Sequence, residues 1–213
     1  MDVSKENNNL WIFGYGSLVW RPDFVYKSSK VGFIMGYKRR FWHGDDFHRG
    51  NKTRPGRVVT LVDDPETCTW GVAYEVSKSQ VESSLQSLHK REVELGGYRM
   101  KTVNFFPKDG KSPLLALVYI ATSDNPSYLG PASDRDIAAQ IAICRGNNGA
   151  NIEYLLRLAE FMRLCCPEVE DEHLFSIEAA ALNFFRGPDE MKYTSETPDA
   201  GSYMLNYILH STS

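Results

Sequence analysis

Leu10-Trp-Ile-Phe-Gly-Tyr-Gly-Ser-Leu18 is the stretch on which the fold reading turns. Its first half is apolar without alternation, as in a strand buried on both faces. Gly14 and Gly16 then flank Tyr15. Glycine reaches backbone conformations closed to other residues, so the strand runs into a tight turn. Successive amides of such a turn can converge on an anion such as a carboxylate. No Gly-Lys-Ser/Thr follows, and the third glycine of a dinucleotide fingerprint is missing. Ser17 lacks the surroundings of a nucleophile elbow. A plain tight strand end fits this local pattern as well as a binding turn does.

Working outward, residues 31–42 read as an extended segment with Gly36 at its middle. Residues 57–62 and 69–76 read as two strands, separated by the turn signal Asp63-Asp-Pro-Glu66. Residues 99–106 and 114–121 complete the strand-rich part, and one helix interrupts it over about 79–95. Residues 133–145, 150–165 and 171–185 carry helical periodicity, with an N-cap box at Ser133-Asp-Arg-Asp136 and Pro167 closing the second helix. Strands first and helices later is an α+β pattern. The expected fold is a small mixed β-barrel or sheet, closed or half-closed, with flanking and C-terminal helices. Residues 1–9 read as a disordered leader, 10–186 as a single domain, and 187–213 as a tail in which residues 203–209 dock as a short element.

Composition bounds the function. The chain has 213 residues, enough to bury roughly 70% of its unfolded surface without staples. Hydrophobic residues at 42% and charged residues at 24% exclude wholesale disorder. Twenty-four basic against 27 acidic residues argue against nucleic-acid binding through global charge. The longest good apolar run, residues 114–121, is strand-sized, so no membrane partner is expected. The polar N-terminus lacks the apolar core of a signal peptide. Cys68, Cys144, Cys165 and Cys166 show no C-x-x-C spacing. They read as reduced thiols in a cytoplasmic protein, with neither a zinc site nor a disulfide framework.

One carboxylate stands out. Val81, Leu85, Leu88 and Leu95 form a narrow helical stripe, and its missing position is Glu92. Glu94 points to the far side and Glu82 sits a quarter turn off. A buried glutamate is paired or has a task. It can serve as a general base whose pKa burial raises. Equally, the helix can end near Glu92, whose carboxylate then meets solvent, Arg91, Arg99 or His89. His43 and His48, with Asp45 and Asp46 between them, read as a solvated turn, because five residues is not a helical ligand spacing. Arg39, Arg40, Arg54 and Arg57 read as contacts to an anionic substrate or as surface charge. Tyr119, inside an apolar strand, needs a hydroxyl partner if buried.

Taken together, these segments resemble the ChaC family of γ-glutamylcyclotransferases, from about Trp11 to Phe175. Phe13-Gly-Tyr-Gly-Ser-Leu-Val-Trp20 looks like the family's opening motif. Arg39-Arg-Phe-Trp42, His48-Arg-Gly50, Pro55-Gly-Arg-Val-Val-Thr-Leu61 and Trp70-Gly-Val-Ala-Tyr74 follow in order. Arg91-Glu-Val-Glu-Leu-Gly-Gly-Tyr98 looks like the segment with the family's catalytic glutamate, in its longer form. Residues 119–126, 128–131 and 151–155 continue the match, whereas Asn147-Asn-Gly149 departs from it and the tail after Phe185 has no counterpart.

The resemblance implies cleavage of glutathione to 5-oxoproline and cysteinylglycine. It places Glu92 as the catalytic residue, and Ile12, Phe13, Gly14, Tyr15, Gly16, Ser17, Leu18 and Tyr119 as the substrate-binding set. The substrate's own α-amine attacks its γ-carbonyl, so no cofactor, metal or obligatory protein partner is expected. Two other readings remain open: action on other γ-glutamyl amines or dipeptides, and a non-catalytic γ-glutamyl-binding or interaction module.

Overall fold

The computed structural model describes residues 10–88 and 98–185. Seven strands are present among them: β1 (Leu10–Gly14), β2 (Ser28–Asp45), β3 (Gly56–Val76), β4 (Arg99–Pro107), β5 (Leu114–Ile120), β6 (Arg145–Gly146) and β7 (Gly149–Ala150). The helices are α1 (Val81–Leu88), α2 (Asp134–Ile143), α3 (Asn151–Cys165) and α4 (Glu172–Asn183). Five strands close a barrel in the order β1-β3-β2-β4-β5, and β6 and β7 form a separate two-stranded hairpin. The expected α+β barrel with late helices is what the chain builds.

β1 runs antiparallel to β3 and parallel to β5, so the first strand is central to the barrel and paired along both edges. This accounts for its unbroken apolar run: Ile12 and Phe13 are fully buried. β4 and β5 form a long antiparallel pair, from Arg99 opposite Ile120 to Phe105 opposite Leu114.

Three expectations are corrected. Residues 57–62 and 69–76 belong to one strand of 21 residues, not to two. The turn chemistry at 63–66 is expressed only locally: the Asp64 carboxylate accepts from the Glu66 amide, and the Asp64 carbonyl from the Thr67 hydroxyl. The span is exposed at Pro65, so proline's missing donor is tolerated and the backbone stays extended. β2 reaches Asp45, beyond the expected end at residue 42. Gly36 bends it with a φ of 84°, a conformation other residues rarely adopt. The first of the late helices stops at Ile143, because the next residues turn into the β6–β7 hairpin.

The described residues fall into two compact units, and β2 and β3 run from one into the other. The first holds the described residues up to Lys38 and those from Asp63 to Thr122. Its core includes Ile12, Phe13, Ile34, Phe105 and Val118. The second holds Arg39–Val62 and the described residues from Ser123 onward. Its core includes Phe41, Ile137, Ile141, Leu155, Leu158, Met162, Leu174 and Ile177. The Ser133 cap is formed: its hydroxyl accepts from the Asp136 amide at 3.1 Å and donates to the Asp136 carboxylate at 2.6 Å. α3 carries no side-chain cap, because its N-cap residue is Ala150, and the first helical residue, Asn151, turns its side chain to β3. Its buried amide accepts from Arg57 N at 2.7 Å and donates to Arg57 O at 2.9 Å, gripping the β3 backbone.

The expected leader (1–9), the expected continuation of the first helix over 89–95 and the expected tail (187–213) lie outside the described residues.

Candidate active site

The glycine turn occupies one end of β1 in the first unit. Ile12, Phe13 and Gly14 are strand residues, and Ser17 and Leu18 lie in a single 3-10 turn, Ser17–Val19. Val19 N donates to Gly16 O at 3.0 Å, Trp20 N to Ser17 O at 3.3 Å and Arg21 N to Ser17 O at 2.9 Å. The amides of residues 15–18 thus precede the closed part of the turn.

Close packing explains the glycines. A Cβ on Gly14 would stand 2.5 Å from Leu18 Cβ, so the chain folds back on itself only with glycine there. Gly71 on β3 plays the matching part from outside, since a Cβ there would stand 2.1 Å from Gly14 O. Two phenols hold the turn. Tyr15 Oη donates to Tyr119 O at 2.7 Å, tying it to β5. Tyr74 Oη, on β3, donates to Leu18 O at 2.7 Å.

Of the sequence-derived site residues, Ile12, Leu18 and Tyr119 meet in one buried cluster with Val76 and Leu88. Leu10, Phe24, Val81 and Tyr98 pack against it. Tyr119 pairs with Met100 across the β4–β5 ladder and is 4% exposed. The side chains of Ile12 and Phe13 are taken up by the core. Val81 and Leu88 confirm the apolar stripe of α1. Glu92 lies outside the described residues. Tyr74 is not among the sequence-derived candidates, although its alternation with Val72 and Val76 marks it as inward and an inward phenol requires an acceptor.

The other sequence candidates resolve into structural roles in the second unit. His43 is buried on β2 and bridges to Tyr128, so it does not lie in a solvated turn. His48 Nδ1 stands 3.6 Å from Asp45 Oδ2. Burial raises the Asp45 pKa, but the hydrogen bonds from His48 and Phe47 outweigh it and hold the carboxyl below 3.8. Arg39 is neither surface charge nor open to a substrate: it is 3% exposed and paired with Asp171 at 2.7 Å. Arg57 is likewise buried, donating to Phe41 O at 3.0 Å, Gly130 O at 3.2 Å and Gln140 Oε1 at 2.7 Å. Among the described residues no group of three or more His, Cys, Asp or Glu could hold a metal ion. The four cysteines are free thiols. No described helix is long and apolar enough to cross a membrane.

Known proteins share this sequence and architecture. The family model for ChaC-like proteins matches residues 10–183. The glutathione-specific γ-glutamylcyclotransferase 1 of Danio rerio is 64% identical over 186 residues, which cover 87% of this chain and 95% of that protein. Its namesake from Homo sapiens is 62% identical over 169 residues, covering 79% of this chain and 76% of the relative. Among solved structures, the yeast γ-glutamyl cyclotransferase specific to glutathione superposes with a TM-score of 0.77 at 27% identity. That match covers 84% of this chain and 97% of the yeast chain.

Proposed function

We propose, since the chain belongs to the ChaC family, that it degrades glutathione as a γ-glutamylcyclotransferase, releasing 5-oxoproline and cysteinylglycine. In this reaction the α-amine of the γ-glutamyl residue attacks the γ-carbonyl carbon. A tetrahedral intermediate forms and collapses, breaking the bond to the cysteinyl nitrogen. Nucleophile and electrophile belong to one molecule, so the protein's main task is to hold that molecule bent, which captures the rate advantage of an intramolecular reaction. The attacking amine arrives as ammonium and must lose a proton, while the departing amine must gain one. A single carboxylate can do both in turn.

Glu92 is that carboxylate in this reading, and the amides of Tyr15 to Leu18 receive the substrate's α-carboxylate. The observation that carries the assignment is the buried cluster beside the turn. Leu88 and Tyr98, the described residues on either side of 89–97, both pack into it together with Ile12, Leu18 and Tyr119. Both ends of the segment bearing Glu92 are therefore anchored beside the cradle. Glu92 also follows Leu88 by four residues, one helical turn along the same apolar stripe. Burial against such a cluster raises a carboxyl pKa toward the value a base needs at neutral pH.

Incubating the purified chain with glutathione and with γ-glutamyl-alanine, and detecting 5-oxoproline, tests this reading. Release from glutathione is expected, with the dipeptide turned over poorly. Release from the dipeptide alone overturns the glutathione assignment, and release from neither overturns cyclotransferase activity altogether.

A further inference from the structure

We propose that Tyr74 is a positioning residue for the reaction: its hydroxyl fixes the Leu18 carbonyl and thereby aims the amides of the glycine turn at the substrate carboxylate. The proposal rests on the reading of that turn as the carboxylate site.

Tyr74 stands opposite Ile12 in the β1–β3 ladder and is 4% exposed. Its ring is met edge-on by Phe24, with centroids 5.7 Å apart, and by Tyr26 at 4.8 Å. These contacts fix the ring and with it the position of the hydroxyl. It donates to Leu18 O at 2.7 Å and lies 3.5 Å from Val19 O. Packing alone would be served by phenylalanine, and strand pairing does not use this carbonyl.

The bond is the first in a chain of peptide groups. Leu18 O and Val19 N belong to one peptide unit, and Val19 N donates to Gly16 O at 3.0 Å. Gly16 O and Ser17 N belong to the next. A donor on Leu18 O therefore polarises the Leu18–Val19 unit, which polarises the Gly16–Ser17 unit and so reaches the Ser17 amide. Hydrogen bonds linked in this way strengthen one another. The Tyr15 hydroxyl, tied to Tyr119 O, restrains the turn from the β5 side.

The test is steady-state release of 5-oxoproline from glutathione by Tyr74→Phe, which keeps the ring and removes only the donor. KM is expected to rise by about five- to tenfold, the scale of one hydrogen bond, with kcat within about twofold. KM does not depend on the folded fraction of a preparation, so partial unfolding cannot imitate the result. Replacing Tyr74 with 4-aminophenylalanine, which restores a donor at the same place, is expected to return KM toward the wild-type value. Tyr154→Phe serves as the structural comparison. Its hydroxyl accepts from Val59 N in the second unit, and its loss should lower thermal stability without moving KM. A KM for Tyr74→Phe within about twofold of wild type overturns the proposal, as does a fall in kcat at unchanged KM, which would put the turn on the reacting carbonyl instead. A wild-type chain silent toward glutathione overturns the parent reading as well. It is told apart from a specific failure because there the wild type turns over normally.

Discussion

Gly71→Ala should damage catalysis from a position that touches no substrate. The new Cβ would fall 2.1 Å from Gly14 O and 2.9 Å from two carbons of the Phe13 ring. Ordinary contact begins at 3.4 Å. One strand must therefore retreat by roughly 1.3 Å, and overpacking of this kind costs about 1–3 kcal/mol. The obstacle is a backbone carbonyl that cannot rotate away while β1 is paired on both sides, so the upper end is expected. About 3 kcal/mol lowers the unfolding temperature of a chain this size by roughly 6–12 °C. The functional effect is larger. Gly14 O belongs to the same peptide unit as Tyr15 N, so the retreat passes directly into the cradle, and a displacement near 1 Å costs about a hundredfold in rate. Thermal unfolding and kcat/KM for glutathione, measured on the same preparation, give both numbers. A folded variant with kcat/KM within about threefold of wild type would refute the claim that the β1–β3 contact holds the turn in place.

Three further outcomes can be checked. Glu92→Gln should retain glutathione binding by calorimetry and lose at least about a hundredfold in kcat, the scale of a general base; an unchanged kcat removes Glu92 from the mechanism. Asn151→Ala should cost about 2–4 kcal/mol in urea unfolding, because it strands a buried donor and a buried acceptor on Arg57 together, and a loss below about 1 kcal/mol would show that grip to be dispensable. His173 accepts from Phe41 N at Nε2 and faces Asp134 through Nδ1, and burial first, then Arg40, hold its pKa below 6.5 against the pull of Asp134 and Asp171. The unfolded chain therefore takes up this proton at a pH where the folded chain still resists it, and stability falls as pH drops below 6.5. The urea midpoint should be lower at about pH 5.5 than at about pH 7.5, and His173→Gln, which keeps an acceptor for the amide, should narrow the difference; an undiminished difference assigns the acid sensitivity elsewhere.

What was legible in the residues follows from how local each signal is. The late helices could be read because periodicity, the Ser133 cap and Pro167 act within a few residues. The Asp63-Asp-Pro-Glu66 turn misled, because its local hydrogen bonds form without breaking a strand whose pairing is set from outside. The arginines misled for a related reason. Arg39 and Arg57 look like surface charge until Asp171, Phe41 O and Gly130 O are brought to them from far along the chain.

By its own order of residues, the chain determined a central apolar strand ending in a glycine turn, a helix whose apolar Val81 and Leu88 turn to the core, and a run of helices afterwards. These depend on backbone freedom and on spacing, which neighbours in sequence decide. Only the tertiary structure decided what grips the turn. Tyr74 reaches Leu18 across 56 residues and Tyr15 reaches Tyr119 across 104, and a phenol declares its need for an acceptor without saying which one closure of the barrel will supply.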